Sequence, residues 1–158
     1  MSTAKIQPRG GQFGGAARYG NLTTLRYTLE TNASGVPANS QQATALQIND
    51  VVQFEYPLPA GFLIEDVQVI VSDHFGASVT GDLGFAYADG VDDASLPQSA
   101  TAFGSALALS AAARLRTTAA SKLKALPKDA YLILTIKGAA VAQVGVAQVV
   151  VHGERQGK

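Results

Sequence analysis

The chain has 158 residues, no cysteine, and 12 basic side chains balanced by 12 acidic ones. The lack of cysteine excludes a disulfide framework and a thiolate metal site, and zero formal net charge gives no general attraction to nucleic acid or membrane. Charged residues make up only 15% of the chain, below the roughly 25% of an average soluble domain. This indicates either an assembly surface, because interface cores are poor in charge, or a bias towards small residues.

The length fits one domain, and the sequence predicts no membrane or secretion segment. No apolar run approaches the roughly 18 residues that are needed to cross a bilayer. The first residues, MSTAKIQPRGGQFGG, lack the apolar stretch of a secretory signal. We therefore expect a protein that is made and used in a cytoplasmic setting, or released by lysis.

Residues 1–21 are predicted to form an extended, glycine-rich basic arm in front of a β-sandwich domain that spans residues 22–158. The arm has no acidic residue and too little apolar surface to offset the entropy lost on ordering. We expect a neighbouring subunit to hold it; a mobile tail is the alternative. Its candidate partner-binding residues are basic or aromatic: Lys5, Arg9, Phe13, Arg18 and Tyr19.

Two strands are predicted in the first third of the chain, over residues 24–31 and 51–56, with a polar loop over 32–42 between them. Both show the period-2 alternation of half-buried strands. Their inward residues share an apolar character: Leu25, Tyr27, Leu29, Val52, Phe54 and Tyr56.

The clearest pair of strands lies within residues 57–87. Alternating apolar residues mark both strands: Val67, Val69 and Val71, then Val79, Leu83, Phe85 and Tyr87. Residues 72–76 between them are rich in turn formers, which predicts either a hairpin or a connection between two sheets.

The next segment, residues 94–118, is harder to interpret. Pro97 favours a loop over 94–102. Alanine and leucine favour a helix over 103–118, but the β-rich surroundings favour strands at 103–109 and near Leu115, with a turn between them.

Two strands are predicted to close the chain. In the strand over 131–137, Leu132, Leu134 and Ile136 are expected to be buried, and Tyr131, Thr135 and Lys137 to lie nearer solvent. The strand over 144–153 is apolar on both faces, which is typical of a strand covered on both sides; the second cover could be another subunit. About eight strands in all predict an all-β, single-domain antiparallel β-sandwich of jelly-roll type.

Few residues are candidates for chemistry, and we predict no enzyme, catalytic residue, cofactor or metal site. His74 is interpreted as a solvated turn residue, and His152 and Glu154, which share a strand face, as a structural pair. The best metal candidates are clustered carboxylates, although a plain acidic turn is favoured over a Ca²⁺ site: Asp82, Asp89, Asp92 and Asp93.

Three segments resemble a group of small tailed-bacteriophage head proteins, the capsid decoration or cement proteins with a jelly-roll-like sandwich. These are LPAGFLIEDVQVIVSDHFGASVTGDLGFAYADGVDD, LPKDAYLILTIKG and VGVAQVVVHGE. The resemblance covers roughly residues 22–154 and excludes the arm. It implies a non-enzymatic homodimer or homotrimer on the outer capsid surface of the virion, bound across major capsid protein subunits and made in the host cytoplasm.

The alternative function is a jelly-roll receptor- or glycan-binding module of a phage fibre. Such a module would present exposed aromatic side chains on a concave face, and the tyrosines of this chain read mostly as core or interface residues. Neither hypothesis calls for nucleic acid or membrane as a partner. The sequence leaves open the oligomer order, the symmetry axis occupied, and whether the arm contacts the capsid or its own oligomer.

Overall fold

The computed structural model describes residues 1–6, 22–117 and 124–156, which form nine strands. Their bounds are β1 Thr3–Ile6, β2 Leu22–Thr31, β3 Val51–Phe54, β4 Phe62–Asp73, β5 Thr80–Tyr87, β6 Ser99–Ala108, β7 Ala113–Arg116, β8 Ala130–Lys137 and β9 Gly145–Arg155. No helix long and apolar enough to cross a membrane occurs in these ranges. The all-β prediction is confirmed.

The strands form two sheets, in the orders β1-β3-β8-β5-β6 and β2-β9-β4-β7. The pairs β2–β9, β3–β8, β4–β7 and β5–β6 are all antiparallel, so the chain from β2 to β9 is a long hairpin folded over on itself. Because successive strands cross between the sheets, except at the β5–β6 turn-back, this is the jelly-roll arrangement. Since β4 and β5 lie in different sheets, residues 74–79 connect the two sheets and do not form a hairpin.

The first strand lies outside this jelly roll. β1 pairs in parallel with β3 at the edge of the five-stranded sheet, with Thr3 opposite Val51 and Ile6 opposite Phe54. Ala4 and Ile6 are buried in the core. The structure therefore differs from the arm prediction over the first residues, which belong to the sandwich; residues 7–21 lie outside the described ranges.

The core lies between the two sheets and is closed at each end by a phenylalanine. Phe75 and Phe62 are fully buried, and each ring packs against a glycine of β9. A Cβ atom on Gly145 would come within 2.4 Å of the Phe75 ring, and one on Gly153 within 2.6 Å of Phe62. The two glycines of the last strand are therefore required by packing at opposite ends of the core.

The inward faces are largely as predicted, with two exceptions. Leu25, Val67, Val69 and Leu132 are among the predicted core residues that are buried. Tyr56 is 41% exposed, because β3 ends at Phe54 and the alternation does not continue beyond it. Thr135 was expected nearer solvent but is only 8% exposed, since β8 lies between β3 and β5.

The described part of the segment that was harder to interpret, residues 94–117, contains two strands, β6 and β7. β6 begins at Ser99, inside the predicted loop, and β7 covers the predicted short strand at Leu115. The helical alternative is thus wrong. β6 is strongly bulged against β5, where Leu83 faces Gly104 but Phe85 faces Ser99.

The last strand is central in its sheet, flanked by β2 and β4. Its inner face is buried, whereas its outer face alternates valines with Gln148, His152 and Glu154 and is mostly half-buried. Val150 is the outer residue that is buried, and it stands in register between Arg26 and Gln68. Its cover within this chain comes from these neighbouring strands, so the predicted second subunit is not needed to account for it.

Candidate functional site

On the outer face of the four-stranded sheet, Thr24, His152 and Asp66 form a short row of polar side chains. His152 lies opposite Thr24 on β2 and Asp66 on β4. Its Nδ1 is 2.9 Å from the Thr24 hydroxyl oxygen. Glu154 lies two residues along the same face, and the hydrogen-bonding partner that the structure gives the imidazole is the Thr24 hydroxyl.

Asp66 in this row is tied to the neighbouring strand. The Arg116 guanidinium donates to one Asp66 carboxylate oxygen from Nε at 3.2 Å and from Nη2 at 2.5 Å. These bonds hold the pKa of Asp66 below its ordinary value, against the opposing effect of burial, with Gln68, the charge of Arg116 and the charge of His152 also lowering it. The row therefore cross-links β2, β9, β4 and β7 on their outer side.

The second histidine lies at the opposite end of the sheet from His152. His74 is exposed, as predicted, but it also makes contacts within the chain. The Gln143 side-chain amide donates to the His74 carbonyl oxygen at 2.8 Å and lies 3.0 Å from its Nδ1. His74 therefore joins the β4–β5 loop to the β8–β9 loop.

The acidic loop after β5 uses its carboxylates to shape its own backbone. Asp89 accepts from the Val91 N–H at 3.0 Å, and Asp93 accepts from the Ser95 N–H at 2.8 Å. Lys128 forms an ion pair with Asp89 at 2.9 Å. Hydrogen bonds from the Val91 N–H and from Lys128 lower the pKa of the Asp89 carboxyl.

The remaining acidic candidates fit the same reading. Asp92 accepts from the backbone N–H groups of Asp93 and Gln98, and Asp82 accepts from the Ala106 N–H at 2.8 Å in the β6 bulge. Within residues 1–6, 22–117 and 124–156 there is no group of three or more His, Cys, Asp or Glu side chains that could hold a metal ion.

The start of the chain is anchored by a buried carboxylate. Asp50 is 4% exposed; its two oxygens accept from the Ser2 N–H at 2.8 Å and the Gln47 N–H at 2.9 Å. Burial raises the pKa of Asp50, but these hydrogen bonds outweigh it and leave the pKa below its ordinary value. Because the Ser2 carbonyl also accepts from the Val51 N–H at 2.9 Å, the chain is fixed to the sheet at the residue before β1.

The predicted partner-binding residues fall into two groups. Lys5 is exposed on β1, in register with Gln53. The other four lie outside the described residues: Arg9, Phe13, Arg18 and Tyr19. Ile6 and Leu22, which bound the undescribed segment, both belong to strands, so any arm that contacts a partner is tethered at both ends.

Four loops meet at the end of the sandwich where β2 finishes and β9 begins: residues 32–50, 74–79, 109–112 and 138–144. We call them the loop cap. Leu46 donates from its N–H to the Gly35 carbonyl at 3.1 Å and accepts from the Val141 N–H at 2.9 Å. Phe75 donates to the Leu109 carbonyl at 3.0 Å. Each of the four loops is therefore bonded to another one.

Two glycines allow the loops of the cap to approach so closely. Gly35 has a φ of +76°, and a Cβ there would lie 2.1 Å from the Val141 carbonyl oxygen. Gly138 has a φ of +72°, and a Cβ there would lie 2.1 Å from the Ser78 carbonyl oxygen. Both positions combine a left-handed backbone with a backbone contact, which only glycine accommodates. These contacts and hydrogen bonds fix the loops of the cap to one another.

The fold is a jelly roll, and a solved structure resembles it over almost the full length of the chain. A chain in the capsid of Ralstonia phage GP4 matches with a TM-score of 0.63 and 14% identity, over 98% of this chain and 100% of that chain. A chain in the acidic stable capsid structure of Helicobacter pylori bacteriophage KHP30 has a TM-score of 0.46 and 13% identity, over 85% of this chain and 94% of that chain, too distant to carry an argument. No protein-family model and no curated protein sequence matches.

The resemblance to phage head proteins is thus confirmed at the level of the fold. Sequence reasoning did not single out the loop cap, although a signal was present: residues 31–49 and 138–151 contain neither a charged residue nor a histidine. The sequence predicts a loop over 32–42, a turn over 138–142 and a strand over 144–153 whose second cover could be another subunit, but only the strand pairing shows that the loops meet at one end.

Proposed function

We propose that this chain is a structural protein of a phage virion, and that it decorates the outside of the head as a cement protein bound across major capsid protein subunits. The observation that supports this most is the fold match to a chain of a phage capsid over 98% of this chain and 100% of the other. Neither chain carries a large extra domain that the other lacks. The match concerns the fold, and the role is our inference from it.

The architecture suits a protein that works by contact. The two sheets enclose a continuous core whose strands are cross-linked on the outside by Asp66 and Arg116, and the loop cap is bonded across all four of its loops. A surface that is rigid before binding loses little conformational entropy on docking. Many copies that each add a modest contact then stiffen a shell through multivalency.

In this proposal the basic segment in front of β2 contacts the capsid. Lys5 is exposed on a strand that is itself fixed by Asp50, so it would present a positive charge at a defined place. Arg9, Phe13, Arg18 and Tyr19 would add charge and aromatic surface along residues 7–21, and an extended segment that orders on binding can cover a large partner surface.

The test is the composition and surface accessibility of purified particles. Virions would be banded in a density gradient, and their proteins identified by mass spectrometry before and after protease treatment of intact particles. We expect this chain in the virion band, and we expect the protease to reach it while the genome remains enclosed. A chain that stays with the soluble proteins contradicts the proposal; if it then binds host cells or glycans, the receptor-binding alternative is favoured.

A further inference from the structure

We propose that the loop cap is the surface through which copies of this chain contact one another around a rotation axis. This inference rests on the proposed virion role only in assuming an assembly; the contact itself is a property of the isolated protein. It specifies the partner as a second copy and assigns the contact to one end of the sandwich.

The first observation is the distribution of charge between the two ends. The four loops of the cap, all of which the structure describes, contain one residue among Asp, Glu, Lys and Arg, namely Asp50. That carboxylate is 4% exposed and satisfied by two backbone N–H groups. The described loops at the opposite end are rich in charge: Glu55, Asp89, Asp92, Asp93, Lys124, Lys128 and Asp129.

The second observation is what the cap exposes in place of charge. Ile48 is 48% exposed and Val144 is 44% exposed. The other exposed positions of the cap include Ala43, Gln47, Ala111, Ala142 and His74. Charge depletion with exposed apolar residues is the composition of an interface core.

Three charged residues stand at the strand ends next to this surface. Glu30 and Asp73 stand at the ends of β2 and β4, next to the cap, and Asp73 is exposed. Lys137, at the end of β8, donates from Nζ to the Asn49 side-chain oxygen at 2.7 Å. An uncharged centre with a polar and charged rim is the usual arrangement of a protein interface.

The absence of charge also favours a copy of the same chain as the occupant. Near a rotation axis identical surface patches approach one another, so a charged side chain would face its own copy and repel it. A partner of a different kind could be matched by opposite charges, and the cap offers almost none. An uncharged surface therefore does not repel its own copy.

The cap is also pre-formed, as a contact between copies requires. Gly35 and Gly138 hold the loops at backbone contact distance, and the Gln143 side chain bonds the His74 loop. Because the loops are already ordered in the single chain, association need not order them, and this part of the entropic cost of binding is small.

The experiment places a positive charge on the cap and, as a matched control, on the opposite end. Val144→Lys and Ile48→Lys change exposed cap residues, whereas Val91→Lys changes a valine that is 60% exposed in the acidic loop. Far-UV circular dichroism checks that each variant folds. Size-exclusion chromatography with light scattering, over a dilution series of the full chain, gives the molar mass and the dissociation constant.

We expect a wild-type oligomer at micromolar concentration whose dissociation constant is little changed between about 50 mM and about 500 mM salt, because the contact contains few charges. Val144→Lys and Ile48→Lys should each weaken association by at least about tenfold, and Val91→Lys should leave it unchanged. A monomeric wild type, or an oligomer that both cap variants leave intact, overturns the inference. Neither result bears on whether the chain is found in virions, so the two proposals fail separately.

Discussion

Replacing Leu46 with alanine tests whether the long β2–β3 loop is part of the core. Leu46 is 0% exposed although it lies in a loop of the cap. Its N–H and C=O are bonded to Gly35 at 3.1 Å and Val141 at 2.9 Å, so the backbone is held from both sides and cannot easily move into a cavity. Buried leucine-to-alanine changes cost about 2–5 kcal/mol, more where the site cannot collapse. We therefore expect a loss of about 3–4 kcal/mol in the free energy of unfolding.

The assay is urea unfolding followed by circular dichroism at one fixed protein concentration. A loss of this size lowers the urea concentration at the midpoint of unfolding, while the slope of the unfolding free energy against urea stays unchanged. In thermal unfolding, the same loss lowers the Tm of a domain of this length by about 10 °C. Leu22→Ala is the matched control, because the same atoms are removed from a side chain that is 72% exposed; it should cost less than about 0.5 kcal/mol. A Leu46→Ala cost below about 1 kcal/mol would refute the view that the cap belongs to the core.

Asp50→Asn should destabilise the chain by about 1–3 kcal/mol at neutral pH, because an amide cannot accept from both backbone N–H groups. The pKa of Asp50 is lowered from 3.8 in the folded state, so its contribution is present above that pH and is lost as the pH falls through the folded pKa; the difference between wild type and variant, followed by urea unfolding, should shrink with acidification, and a constant difference would contradict this. For the arm, Arg9→Ala combined with Arg18→Ala should reduce occupancy on purified particles in a pelleting assay at low salt, whereas Arg114→Ala, an exposed arginine on β7, should not. Equal occupancy of both variants would contradict the proposal that the arm contacts the capsid.

Much of the fold could be predicted because its signals are local. The alternation of Val67, Val69 and Val71 depends only on neighbouring residues, and these side chains are buried as expected. The prediction that Tyr56 faces inward was wrong because alternation does not say where a strand stops. β3 ends two residues earlier. The prediction that Thr135 lies nearer solvent was also wrong. Its strand, β8, lies between β3 and β5, and the local pattern does not contain this long-range pairing.

The candidate surface was less predictable for the same reason. Residues 31–49 and 138–151 are about 100 positions apart in the sequence, and their meeting depends on the β2–β9 pairing. Likewise, nothing in the composition of residues 1–6 indicated a strand, because β1 depends on Asp50 and on the open edge of β3. Interpreting the acidic loop as a turn needed only nearby residues, and the hydrogen bonds of Asp89 and Asp93 agree with it.

Cryo-electron microscopy of purified virions that carry this chain would test the virion role most directly. We predict density for the jelly roll on the outer surface of the head, seated across neighbouring major capsid protein subunits. Virions in which the chain is absent, or is present only at a fibre tip, would contradict the cement role.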